Sequence, residues 1–282
     1  MMKTKRNLAI FIAVSLLCGW LGVLLDAVLS EQPEGDTLGM GAWLVLPLLT
    51  AIVLSIISRD WKETGLTPKF KGNIKWYILS LAVFPAIAIL TLVLARFFDI
   101  VDFSGIGFNE IAPLIAAALL INIIKNVFEE FAWRGYLTSG LLALKINDWP
   151  VFIISGLVWA FWHLPYYLVF LDESIFESLA VSRIEFAFTA TFTILCWNVL
   201  YVEMFRLTKS VWPCAVMHAA EDAVPAFLFT GGYYVFTSNA GAWVFDPHIG
   251  MVAAVLPLGI GLLIRRIRKN SARVMGLREA RP

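Results

Sequence analysis

Apolar residues along this chain fall in long runs rather than in alternation. The runs cover about 8–29, 38–58, 76–97, 111–144, 150–171, 185–206, 211–230 and 248–264. About 20 apolar residues cross a bilayer as a helix, so the pattern predicts an all-α polytopic membrane bundle with about eight transmembrane helices. Short polar connections separate the runs, with no internal repeat and no low-complexity segment. The fourth run is too long for one simple span, and it is expected to project past the headgroups or to bend near Gly135 or Gly140. The first run exceeds the roughly 7–15 residues of a signal-peptide core and is expected to be a retained span. Residues 1–282 read as a single membrane domain.

Composition agrees with this. The 282 residues are 60% hydrophobic and 15% charged, with a mean hydropathy of +0.79. A soluble domain of this size could not cover so much apolar surface. The net charge of +1 says little, but the positions of the charges say more. Lys3, Lys5 and Arg6 precede the first run. Arg59, Lys62, Lys69, Lys71 and Lys75 separate the second from the third. Lys145 follows the fourth, and Arg206 and Lys209 follow the sixth. A basic tail, 265–282, carries Arg265, Arg266, Arg268, Lys269, Arg273, Arg278 and Arg281. The intervening connections, 30–37, 98–110, 172–184 and 231–247, hold only Arg183 and most of the loop acids. Basic loops stay on the cytoplasmic side, which predicts both termini in the cytoplasm, with the plasma membrane as the expected location. The tail could also touch anionic headgroups of the bilayer. No nucleic-acid partner is expected. Cys18, Cys196 and Cys214 all lie in apolar runs without metal-type spacing and read as small buried hydrophobes.

Seven ionisable residues interrupt the apolar runs: Glu129, Glu130, Arg134, His163, His218, Glu221 and Asp222. A charge at the bilayer centre costs roughly 2.5–3.5 kcal/mol on insertion scales, so these residues need partners, water or a function. Glu130 and Arg134 are four apart and share a helix face, while Glu129 points about 100° away. One carboxylate is then neutralised by its own helix and its neighbour is left to face something else, which suits a general base. Lys125, four residues before Glu129, could pair with it or snorkel to a headgroup. His163 stands among aromatics in Trp159-Ala160-Phe161-Trp162-His163. His218 and Asp222 are four apart, a spacing that allows a carboxylate to orient a histidine, two metal ligands, or two donors to an oxyanion if Asp222 is protonated. Each cluster alone also fits a plain structural role: a helix-end ion pair, a core histidine, a local His–Asp hydrogen bond.

Together the clusters resemble the CPBP (CAAX-processing and bacteriocin-processing, or Abi) family of intramembrane proteases. That family carries EExxxR, FxxxH and HxxxN or HxxxD on successive helices. Here the three read Glu129-Glu130-x-x-x-Arg134, Trp159-x-x-x-His163 and His218-x-x-x-Asp222. The resemblance covers the core from about 111 to 230. Trp159 replaces the usual phenylalanine and keeps an aromatic wall, and Asp222 stands where the prenyl-protein proteases have asparagine.

The resemblance implies peptide-bond hydrolysis by a glutamate-activated water on a membrane-associated protein or peptide. By motif position, Glu129 would be the general base and His163 would bind and polarise the water. His218 and Asp222 would stabilise the oxyanion, with Glu130 and Arg134 as support. Glu221 falls outside the pattern and reads as peripheral. His163, His218 and Asp222 could instead hold a divalent metal such as zinc, although no HExxH is present. A non-proteolytic immunity or scaffold protein of the same family is the alternative function, and a small transporter is a further one. At 1.5 Å per residue, His163 lies about 20 Å and His218 about 10 Å from the cytoplasmic ends of their spans, with Glu129 about 24 Å from Lys145. This favours a cavity in the middle or cytoplasmic half of the bundle, open to water from inside.

Overall fold

The computed structural model describes residues 2–29, 31–32, 37–59, 61, 64–105, 107–177 and 181–279. It gives their side chains except at 2–3, 174, 177 and 271–279. Of the charges that bear on orientation, Lys62, Arg281, Glu34 and Asp36 lie outside the described residues, as do the side chains of Lys3, Arg273 and Arg278.

The chain runs through α1 (Met2–Val28), α2 (Leu38–Ser58), α3 (Ile74–Phe97), a short strand β1 (Val101–Phe103) and α4 (Phe108–Glu130). A π-helical stretch, Phe131–Thr138, leads into α5 (Ser139–Ala143). Then come α6 (Asp148–Pro165), a second π-helical stretch at Tyr166–Phe170, α7 (Glu173–Glu177) and α8 (Arg183–Thr208). After α9 (Trp212–Glu221) a third π-helical stretch, Asp222–Ala226, leads into α10 (Phe227–Thr230). The chain ends with β2 (Tyr234–Phe236), α11 (Asn239–Phe245) and α12 (Met251–Glu279).

The helical membrane bundle is borne out. Among the described residues, six helices are long and apolar enough to cross a membrane: Thr4–Val28, Leu38–Ser58, Ile74–Phe97, Phe108–Ala143, Asp148–Phe170 and Arg183–Thr208. The other two expected spans are helical and packed into the bundle, but they differ in kind. Segment 212–230 is interrupted and carries His218, Glu221 and Asp222. In α12 the apolar part ends at Ile264, where Arg265, Arg266, Arg268 and Lys269 begin. The expectation of helices alone missed one pairing. Val101, Asp102 and Phe103 form an antiparallel pair with Phe236, Val235 and Tyr234, tying connection 98–110 to connection 231–247.

Helix α4 is apolar outside and polar inside. Leu120, Ile121 and Ile124 are exposed, whereas its buried residues are Asn126, Glu129 and Glu130. In water this arrangement would be costly. In a bilayer the exposed apolar side chains meet lipid, and the polar face meets the rest of the protein. The expected irregularity near Gly135 takes the form of the first π-helical stretch. There the Thr138 hydroxyl donates to the Trp133 carbonyl at 2.9 Å, and that of Ser139 donates to Gly135. The other two π stretches adjoin Pro165 or contain Pro225. Proline has no N–H and crowds the carbonyl four residues back, and widening the helix accommodates both. All three stretches begin within three residues of a motif residue.

Helices α1 and α2 pack backbone to backbone. A Cβ on Gly22 would stand 2.3 Å from the Gly39 carbonyl oxygen, and one on Gly39 would stand 2.1 Å from that of Gly22. Small residues allow this approach between membrane helices. Gly22→Val is expected to destabilise the protein by about 1–3 kcal/mol through overpacking. Heating purified protein in detergent reads this directly, and an unchanged melting point would count against the contact.

The basic tail does more than mark orientation. Asp148, at the start of α6, accepts from Arg206 and Arg265 at 2.7 Å each and faces Lys269 at 3.1 Å. Arg268 clamps the fully buried Glu203 at 2.6 and 2.9 Å. These pairs fasten α12 to α6 and α8.

Candidate active site

Glu130 and Arg134 form the buried centre of the bundle. The Arg134 Nη1 donates to Glu130 Oε1 at 3.1 Å, and both side chains are almost completely enclosed. Its guanidinium lies between two aromatic faces, 4.1 Å from the Trp159 centroid and 4.3 Å from that of Tyr201. Its Nη2 contacts Asn198 Oδ1 at 3.4 Å, and Asn198 is fixed by the Phe152 carbonyl and the Ser155 hydroxyl. A buried ion pair is steadied by further hydrogen bonds, and α8 supplies one through Asn198, while Arg134 Nε and Glu130 Oε2 are buried without a hydrogen-bond partner among the described residues.

The same Glu130 oxygen receives His218 Nδ1 at 2.9 Å. A carboxylate paired to arginine only accepts here, so Nδ1 carries the hydrogen and Nε2 is left for other contacts. His163 is held in a comparable way, with Nδ1 2.8 Å from the Trp159 carbonyl oxygen. A carbonyl cannot donate, so Nδ1 is again the donor. The His163 ring stacks on Tyr167 at 5.4 Å between centroids. Behind it, Trp43 and Trp162 lock α2 to α6 reciprocally. The Trp43 indole donates to the Trp162 carbonyl at 2.7 Å, and the Trp162 indole donates to the Trp43 carbonyl at 3.1 Å.

Glu129 and Asp222 share one cation. Lys125 Nζ is 2.9 Å from Asp222 Oδ2 and 3.7 Å from Glu129 Oε1. Asn126 Nδ2 also donates to Asp222 Oδ2, at 2.6 Å. Among the described residues no donor hydrogen-bonds the Glu129 carboxylate. Lys125 therefore reaches both carboxylates rather than choosing a headgroup.

Glu129, His163, His218 and Asp222 all line one cavity of about 240 Å³, with aromatic walls that include Trp43, Trp159 and Trp197. Lys125, Glu221 and His248 line it as well. Glu221 is thus not peripheral: its Oε1 lies 2.8 Å from His248 Nδ1. The chain has three histidines, and all three face this space. His248 was missed because it lies outside the motifs, beyond an acidic connection. Asp246 sets its position by accepting from the backbone N–H groups of His248 and Ile249 at 2.8 and 2.9 Å.

Ligand atoms of His218, Glu221 and Asp222 lie within 4.8 Å of one another, a group that could hold a cation and does not include His163. Two of its members are already engaged. The Lys125 ammonium and the Asn126 amide occupy Asp222, and His248 occupies Glu221. A divalent ion would have to displace an ammonium group from contact distance, so this donor set fits a metal poorly.

These features define a class: an integral membrane helical protein whose core encloses a carboxylate–histidine cavity. Residues 111–224 match the family model described as type II CAAX prenyl endopeptidase Rce1-like. A similar curated protein is CAAX prenyl protease 2 of Methanococcus maripaludis, 27% identical over 150 residues, covering 48% of this chain and 54% of that relative. The chain thus spans about half the length of the curated relative it matches. The resemblance to the CPBP family read from the three motifs is borne out over the segment that builds most of the cavity.

Proposed function

We propose that this protein is an intramembrane endopeptidase that hydrolyses a peptide bond of a membrane-associated protein or peptide. One observation carries the reading. Of two adjacent buried carboxylates, Glu130 is committed to Arg134 and His218, while Glu129 faces the cavity beside two histidines whose Nδ1 atoms are already used. The family match over residues 111–224 supports the same class of reaction.

In this mechanism Glu129 takes a proton from a water molecule. The His163 Nε2 accepts the water's other hydrogen and aims its oxygen at the scissile carbonyl. The oxyanion that forms is stabilised by the Lys125 ammonium, which is held by Asp222, itself fixed by the Asn126 amide. Asp222 accepts two hydrogen bonds, so it serves by fixing Lys125 rather than by donating. His218, oriented by Glu130, lines the site of the tetrahedral intermediate with its Nε2, and Glu129 passes the proton it took from the water to the leaving amine, which restores its carboxylate. The bond broken is C–N and the bond formed is C–O, so one water is consumed per cleavage. No step passes through a metal.

The distribution of Lys and Arg supports both termini in the cytoplasm of a plasma-membrane protein. The test of the activity is mass spectrometry of membrane peptides from cells carrying the wild-type chain or Glu129→Ala. New peptide termini in the wild type alone are expected. A biological effect that survives Glu129→Ala, with identical peptides in both strains, would instead identify a non-proteolytic immunity or scaffold role.

A further inference from the structure

Two polar side chains in the cavity wall take no part in the proposed hydrolysis. Glu221 ends α9, and His248 stands between α11 and α12, outside all three motifs. The His248 Nδ1 lies 2.8 Å from Glu221 Oε1. A carboxylate accepts and cannot donate, so Nδ1 carries the hydrogen and Nε2 is left as a bare acceptor. Among the described residues Nε2 has no hydrogen-bond partner. Unlike the Trp159 indole nitrogen, which is sealed without a partner, it stays accessible. The His248 side chain keeps 17% of its surface against 5% for Glu221, and both line the cavity. A pair that only satisfied burial would need no such open edge.

The ring is held from several sides before anything binds. Asp246 accepts from the backbone N–H groups of His248 and Ile249, and the Tyr234 hydroxyl donates to the same carboxylate at 3.0 Å. Tyr234 belongs to β2, which pairs with β1, so the two strands steady the turn that carries His248. The ring packs against Phe229 at 5.4 Å and Trp197 at 6.1 Å between centroids. A hydrogen-bonding atom fixed this way costs little to order when it is used. Ligand atoms of Glu221, His218 and Asp222 lie within 4.8 Å of one another, so Nε2 stands one imidazole away from the reacting groups. An extended peptide advances about 3.3 Å per residue, which brings a backbone N–H about two or three residues from the scissile bond to this atom.

We propose that the Glu221–His248 pair binds the main chain of the substrate: His248 Nε2 accepts a backbone N–H of the peptide and sets its register past the reacting groups. This rests on the peptidase reading. Glu221 acts through the histidine, by holding the hydrogen on Nδ1 and the acceptor toward the cavity. The contact is made to a peptide bond that does not react, so it is equal in the ground state and the transition state. Its loss is therefore read in KM, with kcat little changed.

An ester scan on purified protein in detergent tests this. The probe is a peptide that wild-type cells cut and Glu129→Ala cells do not. It is remade with one backbone N–H at a time replaced by oxygen, and the scissile amide is kept. With the wild type, an ester at one position is expected to raise KM about tenfold, the worth of one hydrogen bond, with kcat within about threefold. His248→Phe keeps a ring and removes both nitrogens. With this variant the all-amide peptide is expected to show the same rise of about tenfold, and the same ester to add less than about twofold. The substitution leaves Glu221 without its partner, so the double variant His248→Phe with Glu221→Gln carries the test if the single one does not fold. A purely structural role would lower the melting point and the rate, but it would leave every ester penalty independent of residue 248. If no ester penalty depends on residue 248, the main-chain contact is overturned while the peptidase reading stands. If the wild-type protein cuts no peptide at all, the peptidase reading falls and takes the contact with it.

Discussion

Replacing Arg134 by leucine is expected to cost about 3–5 kcal/mol of stability, because it strands a buried charge. Glu130 is fully enclosed, and one of its oxygens serves both Arg134 and His218. Without the guanidinium, the carboxylate keeps a single partner in a space closed to water. The faces of Trp159 and Tyr201 also lose the cation between them, a contact worth about 2 kcal/mol when desolvated. Arg134→Lys should recover only part of the loss, since an ammonium cannot span Glu130 and Asn198 as the planar fork does. Combining Arg134→Leu with Glu130→Gln should melt higher than Arg134→Leu alone, because the orphan charge is gone. That double variant would still lack the carboxylate that orients His218, so it should stay inactive. Heating each variant in detergent and measuring the folded fraction by size exclusion checks the series. A single variant, Arg134→Leu, that melts with the wild type would show that the pair is not the support described.

Much of this was legible in the sequence because membrane helices write their length and their polar exceptions in plain form. The i,i+4 spacing predicted the Glu130–Arg134 pair, which forms. Glu129, His163, His218 and Asp222 were expected to converge, and they line one cavity. The unread features depend on contacts distant in sequence. Nothing local announces that Asn198 on α8 would close the Arg134 network, or that His248 would swing back to Glu221. The π-helical form of the three irregular stretches was also hidden, although an irregularity near Gly135 is expected. A proline forecasts a kink, not the widening that accommodates it, and the first stretch lacks a proline altogether. The spans at 211–230 and 248–264 differ from the expectation for a physical reason. Their charges are satisfied inside the bundle, so apolar length alone does not describe them.

Glu129→Gln is expected to slow cleavage by about 10²–10⁴-fold, the usual worth of a positioned general base, without lowering the melting point. The substitution preserves the shape of the side chain and removes only its ability to accept a proton. Structural loss should be small, because the Lys125 contact at 2.9 Å is with Asp222 and the 3.7 Å approach to Glu129 is the looser of the two. This contrasts with Glu130, where the same change to glutamine weakens the partnership with Arg134 and should lower both melting point and rate. Adjacent carboxylates of one helix are thereby separated by two readouts. Lys125→Met sharpens the test. It leaves Glu129 and Asp222 facing one cavity with no shared cation, and it removes the donor assigned to the oxyanion, so the rate should fall although Glu129 is intact. Rates are measured on a peptide found by the mass-spectrometric comparison, with melting recorded on the same preparations. If Glu129→Gln stays within a few-fold of wild type while Asp222→Asn is inactive, the base is Asp222 and the roles on the two helices must be exchanged. If both retain activity, neither carboxylate activates the water, and the chemistry must be sought at Glu221 and His248.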